Sequence, residues 1–202
     1  MERGRQVARA TGGVIAIIAL LVGMVWFGQR INGNSDPRPA PRTLEQRVAN
    51  RFGQYSTAAA EKFGGTPLPQ PYVHVDTVTL SDGSHASLWV SDLPADAISR
   101  YMYLDVEAAD GSFNHGIGGA GGPAEEVTLM RDGGALVGET GPTAAARVRI
   151  EGAGLSVEAR VVRGFFLVAA PPTQGEIPSY TITLLDSDGG ALYVANDVSP
   201  PD

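Results

Sequence analysis

Close to its N-terminus the chain carries an unbroken apolar run, Val14 to Gly28, and no charged residue falls between Ala10 and Gln29. About 20 residues at roughly 1.5 Å each match a ~30 Å hydrocarbon layer, which predicts a transmembrane helix over 11–29. Its body is Val14, Ile15, Ile17, Ile18, Leu20, Leu21, Val22, Met24 and Val25. Trp26 and Phe27 close it at the headgroup boundary, and Arg30 stops it. A cleaved signal peptide is the alternative; against it, the nearest small-x-small triplet, Gly33-Asn34-Ser35, lies well beyond the apolar core. The run therefore reads as an uncleaved, single-pass signal-anchor.

Arg3, Arg5 and Arg9 before the run are matched by Arg30, Arg38 and Arg42 after it, so the positive-inside count is even. The short basic tail ahead of the first apolar segment is the layout of an exported domain, with residues 1–10 in the cytoplasm and the rest outside the plasma membrane. So short a tail leaves no room for a cytoplasmic effector domain.

In residues 30–42, Pro37, Pro39 and Pro41 alternate, which favours extended polyproline geometry and predicts a stalk. Helical periodicity follows over 43–65. Thr43 and Gln46 have capping-box spacing, Leu44, Val48, Phe52, Tyr55, Ala59 and Phe63 form a stripe, and Gly64-Gly65 ends it. That amphipathic helix has three possible occupants for its stripe: its own β domain, the membrane, or residues 44–63 of a second copy.

Over 66–202 the period changes to that of strands. Asp-Gly recurs at Asp82-Gly83, Asp110-Gly111, Asp132-Gly133 and Asp188-Gly189 between alternating apolar runs, which predicts two-residue type I′ hairpins. A hairpin closed at Gly152-Ala153 sets Ile150 against Leu155, Val148 against Val157 and Arg147 against Glu158. Phe165-Phe166-Leu167-Val168 is a continuous apolar run, as in a central buried strand. About ten short strands with no helical period between them predict an all-β domain, an antiparallel β-sandwich of Ig-like type or a barrel.

Charge divides unevenly. Residues 1–65 carry nine basic and four acidic side chains, residues 66–202 six and eighteen, for a total of -7. An acidic domain repels phosphate polymers, which disfavours nucleic acid as a partner. The chain has no cysteine, which removes disulfides, thiol catalysis, a lipidated cysteine and Cys-ligated zinc together.

Candidate chemistry is sparse. His115 stands in a Gly-rich stretch with Asp110, Ser112 and Asn114, a set able to furnish a base and a nucleophile, and it carries the alternative of an envelope hydrolase. Neither a G-x-S-x-G elbow nor an H-E-x-x-H helix occurs. Pairing across Asp82-Gly83 puts His85 near the turn and His74 opposite Ser91, roughly 20 Å apart at ~3.3 Å per residue, too far to share a metal. Gly116 to Gly121 satisfies G-x-G-x-x-G, but Pro123, Glu125 and Glu126 follow where a nucleotide fold needs a long helix, so the run reads as a loop. Asp186-Ser187-Asp188-Gly189 starts like a calcium loop, the basis for an alternative as a calcium-dependent adhesion module, but Gly190, Ala191 and Leu192 stand where later ligands belong. No catalytic residue, cofactor or metal ligand is therefore assigned.

The run Ala146-Arg147-Val148-Arg149-Ile150, with Val162-Arg163-Gly164-Phe165-Phe166 after it, resembles the small β ectodomains of single-pass envelope proteins from GC-rich bacteria. The resemblance implies export and a β fold, with no defined activity and no functional residue. The expected function is a non-enzymatic, membrane-anchored envelope protein that presents an acidic β domain to a protein partner.

Overall fold

The computed structural model of the chain describes residues 43–68, 70–91, 100–121, 127–141, 144–172 and 178–200. The expected cytoplasmic tail, the segment from Val14 to Phe27 and the Pro stalk lie outside these residues. No helix among the described residues is long and apolar enough to cross a membrane.

Helix α1 (Leu44–Phe63) starts at a complete capping box: Gln46 N–H donates to Thr43 Oγ1 at 3.1 Å, and Thr43 N–H to Gln46 Oε1 at 3.3 Å. It stops at Gly64, whose φ of 74° is the left-handed end that a side chain resists. Eleven strands follow among the described residues. Strands β1 (Tyr72–Thr79), β2 (His85–Ser91), β3 (Arg100–Glu107) and β4 (Phe113–Gly121) make one sheet in that order. Strands β5 (Thr128–Asp132), β6 (Ala135–Glu139) and β9 (Phe165–Ala169) make a second. The third has the order β11-β10-β7-β8, from β7 (Arg147–Gly152), β8 (Leu155–Arg160), β10 (Tyr180–Leu185) and β11 (Ala191–Val198). Every pairing is antiparallel.

The domain is thus mostly antiparallel β, as expected, but in three sheets, none of which closes into a barrel. The short sheet β5-β6-β9 lies in the middle, because its residues divide by parity between two cores. Ala135, Val137, Phe165 and Leu167 join Val75, Leu88, Val90, Leu104 and Val106 of the first sheet. Leu136, Phe166 and Val168 join Val148, Ile150, Tyr180, Ile182 and Leu184 of the third. A strand buried on both faces needs a continuous apolar run, which is what Phe165 to Val168 supplies. Burying each such side chain contributes about 1.5–3 kcal/mol. Gly138 sits opposite Phe166, whose ring fills the place a Cβ would take.

Turn chemistry departs from the sequence expectation in two ways. Gly83, Gly111 and Gly189 have positive φ while Asp82, Asp110 and Asp188 do not, and Leu80 N–H bonds Ser84 O, Ala108 N–H Ser112 O, and Asp186 N–H Gly190 O. These are three-residue loops with a terminal left-handed glycine, stabilised because Asp82 and Asp110 accept from Ser84 and Ser112. The β7–β8 hairpin closes at Ala153-Gly154, both with positive φ, one residue later than expected. Ile150 therefore faces Val157, and Glu158 faces Arg149 rather than Arg147. The apolar face survives, since the slip of one position at the turn shifts partners by two.

Candidate functional site

The first sheet is buried on both faces. Even-numbered residues of β2 and β3 enter the first core, while Trp89 and Tyr103 point the other way, beneath Val48 and Phe52 of α1. The Phe52 ring centroid lies 4.1 Å from that of Tyr72 and 5.4 Å from that of Tyr103; Tyr55 lies 5.4 Å from Tyr103. Burial pushes the Tyr55 hydroxyl up to about 12. Room for this stack comes from β4: a Cβ on Gly116 would meet the Tyr103 ring, and one on Gly118 the Tyr55 ring. The G-x-G-x-x-G run expected as a loop is therefore a strand, and its glycines let a helix approach closely rather than cradle a phosphate.

Two arginines, through three ion pairs, fix the register of α1. Arg47, one helical turn before Arg51, donates to Glu107 at 2.9 and 2.6 Å. Arg51 donates to Asp105 at 2.5 and 2.7 Å, also reaches Glu107, and its guanidinium lies 4.9 Å above the Phe113 ring. Asp105 and Glu107 are buried, two apart on β3, so both carboxylates project from the same face. Burial holds the Asp105 carboxyl above its usual range despite Arg51. Glu107, with both guanidiniums on it, is held below its usual range even though burial opposes this. Bidentate pairs of this kind specify one docking geometry more than they add net stability.

His115 is on β4, opposite Val106, with its Nε2 2.5 Å from Asp132 Oδ2 on β5. That hydrogen bond, set against some burial, raises its pKa. The neighbours expected from sequence are engaged elsewhere: Ser112 gives its hydroxyl to Asp110 at 2.6 Å. The base and nucleophile are not brought together. The pair instead clamps the first sheet to the middle one and can hold a proton. Asp132, noticed in the sequence only as a turn residue, carries no local signal of this contact.

His74 faces Trp89, not Ser91, because the three-residue turn moves the register by one position and the extra residue of β1 between His74 and Asp76 moves it by another. Its Nε2 is 2.9 Å from Thr77 Oγ1, which is 2.8 Å from Ser87 Oγ. His85 Nδ1 is 3.2 Å from Thr79 Oγ1. Four residues of strand, roughly 13 Å, keep the two rings from sharing an ion. At the last hairpin, Asp186 Oδ1 accepts from Asp188 and Gly190 N–H at 2.9 and 2.7 Å, so this carboxylate is committed to its own turn. Among the described residues no group of three or more His, Asp or Glu could hold a metal.

The remaining feature is β11, an edge strand exposed along most of its length, with Leu192 46%, Tyr193 39% and Val194 51% accessible. Its ladder to β10 slips twice: Leu184 pairs with Tyr193 and Leu185 with Ala191, and again between Ile182–Ala195 and Tyr180–Val198, where Asp197 takes φ 57°. Two irregularities in eight residues blunt the edge against addition of another strand. What stays available is the exposed side chains of Leu192, Tyr193 and Val194, on a strand that follows the Asp186–Gly190 turn.

No protein-family model matches the chain, and no solved structure matches it.

Proposed function

We propose that this protein is a membrane-anchored, non-enzymatic envelope protein that presents an acidic β domain to a protein partner, with the anchor formed by residues 11–29. The observation that carries the reading is β11, where three consecutive large apolar side chains are solvent-exposed on a strand whose edge is closed to strand addition. An apolar patch rimmed by polar residues is the usual mark of a contact surface. The excess of acidic over basic side chains in residues 66–202, eighteen against six, favours a partner with a basic surface. The apolar run at Val14–Phe27 supports attachment to the plasma membrane, with the β domain outside.

Crosslinking in native membranes followed by purification tests this. Covalent adducts with one recurring partner are expected. Recovery of the chain alone at its native abundance would count against the reading.

A further inference from the structure

We propose that the face of β1–β4 beneath α1 is a helix-receiving groove, and that α1 of a second copy can replace the chain's own helix in it to give an exchanged dimer. The groove selects its occupant closely. Two carboxylates on β3 receive two arginines one helical turn apart, Trp89, Tyr103 and Tyr72 receive Val48, Phe52 and Tyr55, and the bare backbone at Gly116 and Gly118 admits the rings. A second copy of the same sequence offers the same contacts, so exchange changes the connectivity and keeps every bond.

The hold of α1 on the sheet is shallow. Of its 20 residues only Val48, Phe52 and Ser56 are buried. The ion pairs of Arg47 and Arg51 all end on one strand, β3. Elements held this way open at lower free energy than a core buried on both faces, such as β9. The connection to β1 also suits a hinge. Residues 64–71 include Gly64, Gly65, Pro67, Pro69 and Pro71, and the bond from Leu68 N–H to Ser56 Oγ, 2.6 Å, opens when the linker extends. Eight residues span at most about 26–29 Å, enough to carry α1 to a neighbour. Chains anchored in one membrane meet at raised effective concentration, which favours the exchange.

The proposal rests on the membrane-anchored part of that reading and uses a different surface from β11. The two fail separately: an adduct on β11 without helix exchange overturns only the exchange, and exchange without a β11 adduct overturns only the contact surface.

The test uses the absence of native cysteine. Full-length chains with Tyr55→Cys and with Gly118→Cys, differently tagged, are reconstituted together in vesicles and oxidised. A mixed disulfide is expected at least about fivefold above that from Tyr193→Cys mixed with Gly118→Cys. A chain with both Tyr55→Cys and Gly118→Cys should form an internal disulfide, which shows folding and seating of α1. If the internal bond forms and the mixed one stays at background, exchange is overturned; if the internal bond fails, the seating it depends on is overturned. Since a Cβ at position 118 disfavours that chain's own Tyr55, the wild type supplies a second measurement by light scattering in detergent. Monomer and dimer interconverting slowly are expected, and monomer at every concentration overturns the proposal.

Discussion

The Tyr55 ring occupies the space that a Cβ on Gly118 would need, so helix and strand meet where the strand has no side chain. Gly118→Ala should lift α1 from the sheet at a cost of about 1–3 kcal/mol. Amide exchange checks it: protection should fall along Leu44–Phe63 and persist in Phe165–Ala169. Adding Tyr55→Ala to the same chain should recover part of the loss, because the two sites couple through one contact.

Arg51→Met leaves Asp105 with no arginine and Glu107 with only Arg47, and both carboxylates are buried. The expected loss is about 3–5 kcal/mol, read from urea midpoints at pH 7. Arg47→Met should cost less, since Glu107 keeps Arg51 and Arg47 is the more exposed of the pair. Equal losses would mean that the two arginines do not divide the carboxylates as described.

His115 bears a pKa raised in the fold by Asp132. The stabilisation from a raised pKa is complete below the unfolded value, about 6.5, and disappears as pH climbs through the folded one. Thermal melts of the wild type and His115→Gln should therefore differ most below about pH 6 and converge as the pH rises into the alkaline range. A gap that widens with pH would invert the assignment.

The Tyr180 hydroxyl is buried with no hydrogen-bond partner among the described residues. Tyr180→Phe removes that unpaired group and keeps the ring in the second core, so it should raise stability by about 1 kcal/mol. A loss of similar size would show that the hydroxyl has a partner in solution.

Strands and hairpins were legible in the sequence because alternation and Asp-Gly turns act locally, and Phe165 to Val168 announced a strand buried twice. The stacking was not, because parity shows that a strand has two apolar faces and not which sheet meets each. The strand Phe113–Gly121 was hidden for a physical reason: the glycines that Tyr55 and Tyr103 require erase the pattern that marks a strand. Arg47 and Arg51 stand on one helix face and Asp105 and Glu107 on one strand face, each visible alone, but more than fifty residues separate the pairs. The β7–β8 turn lies one residue beyond Gly152-Ala153 because Ala153, a residue that propensity disfavours at a left-handed angle, adopts it beside Gly154. His115 had its true partner across two sheets, beyond any local spacing.

Contact through β11 is the central claim, and a photo-crosslinking amino acid at Tyr193, in the full-length chain at native abundance in its own membranes, tests it most directly. One discrete adduct is predicted, lost when Leu192 and Val194 become serine although the melting midpoint holds. The same crosslinker at Glu158 on β8 should give none. The chain recovered without an adduct, or adducts of equal yield from both positions, would contradict the account.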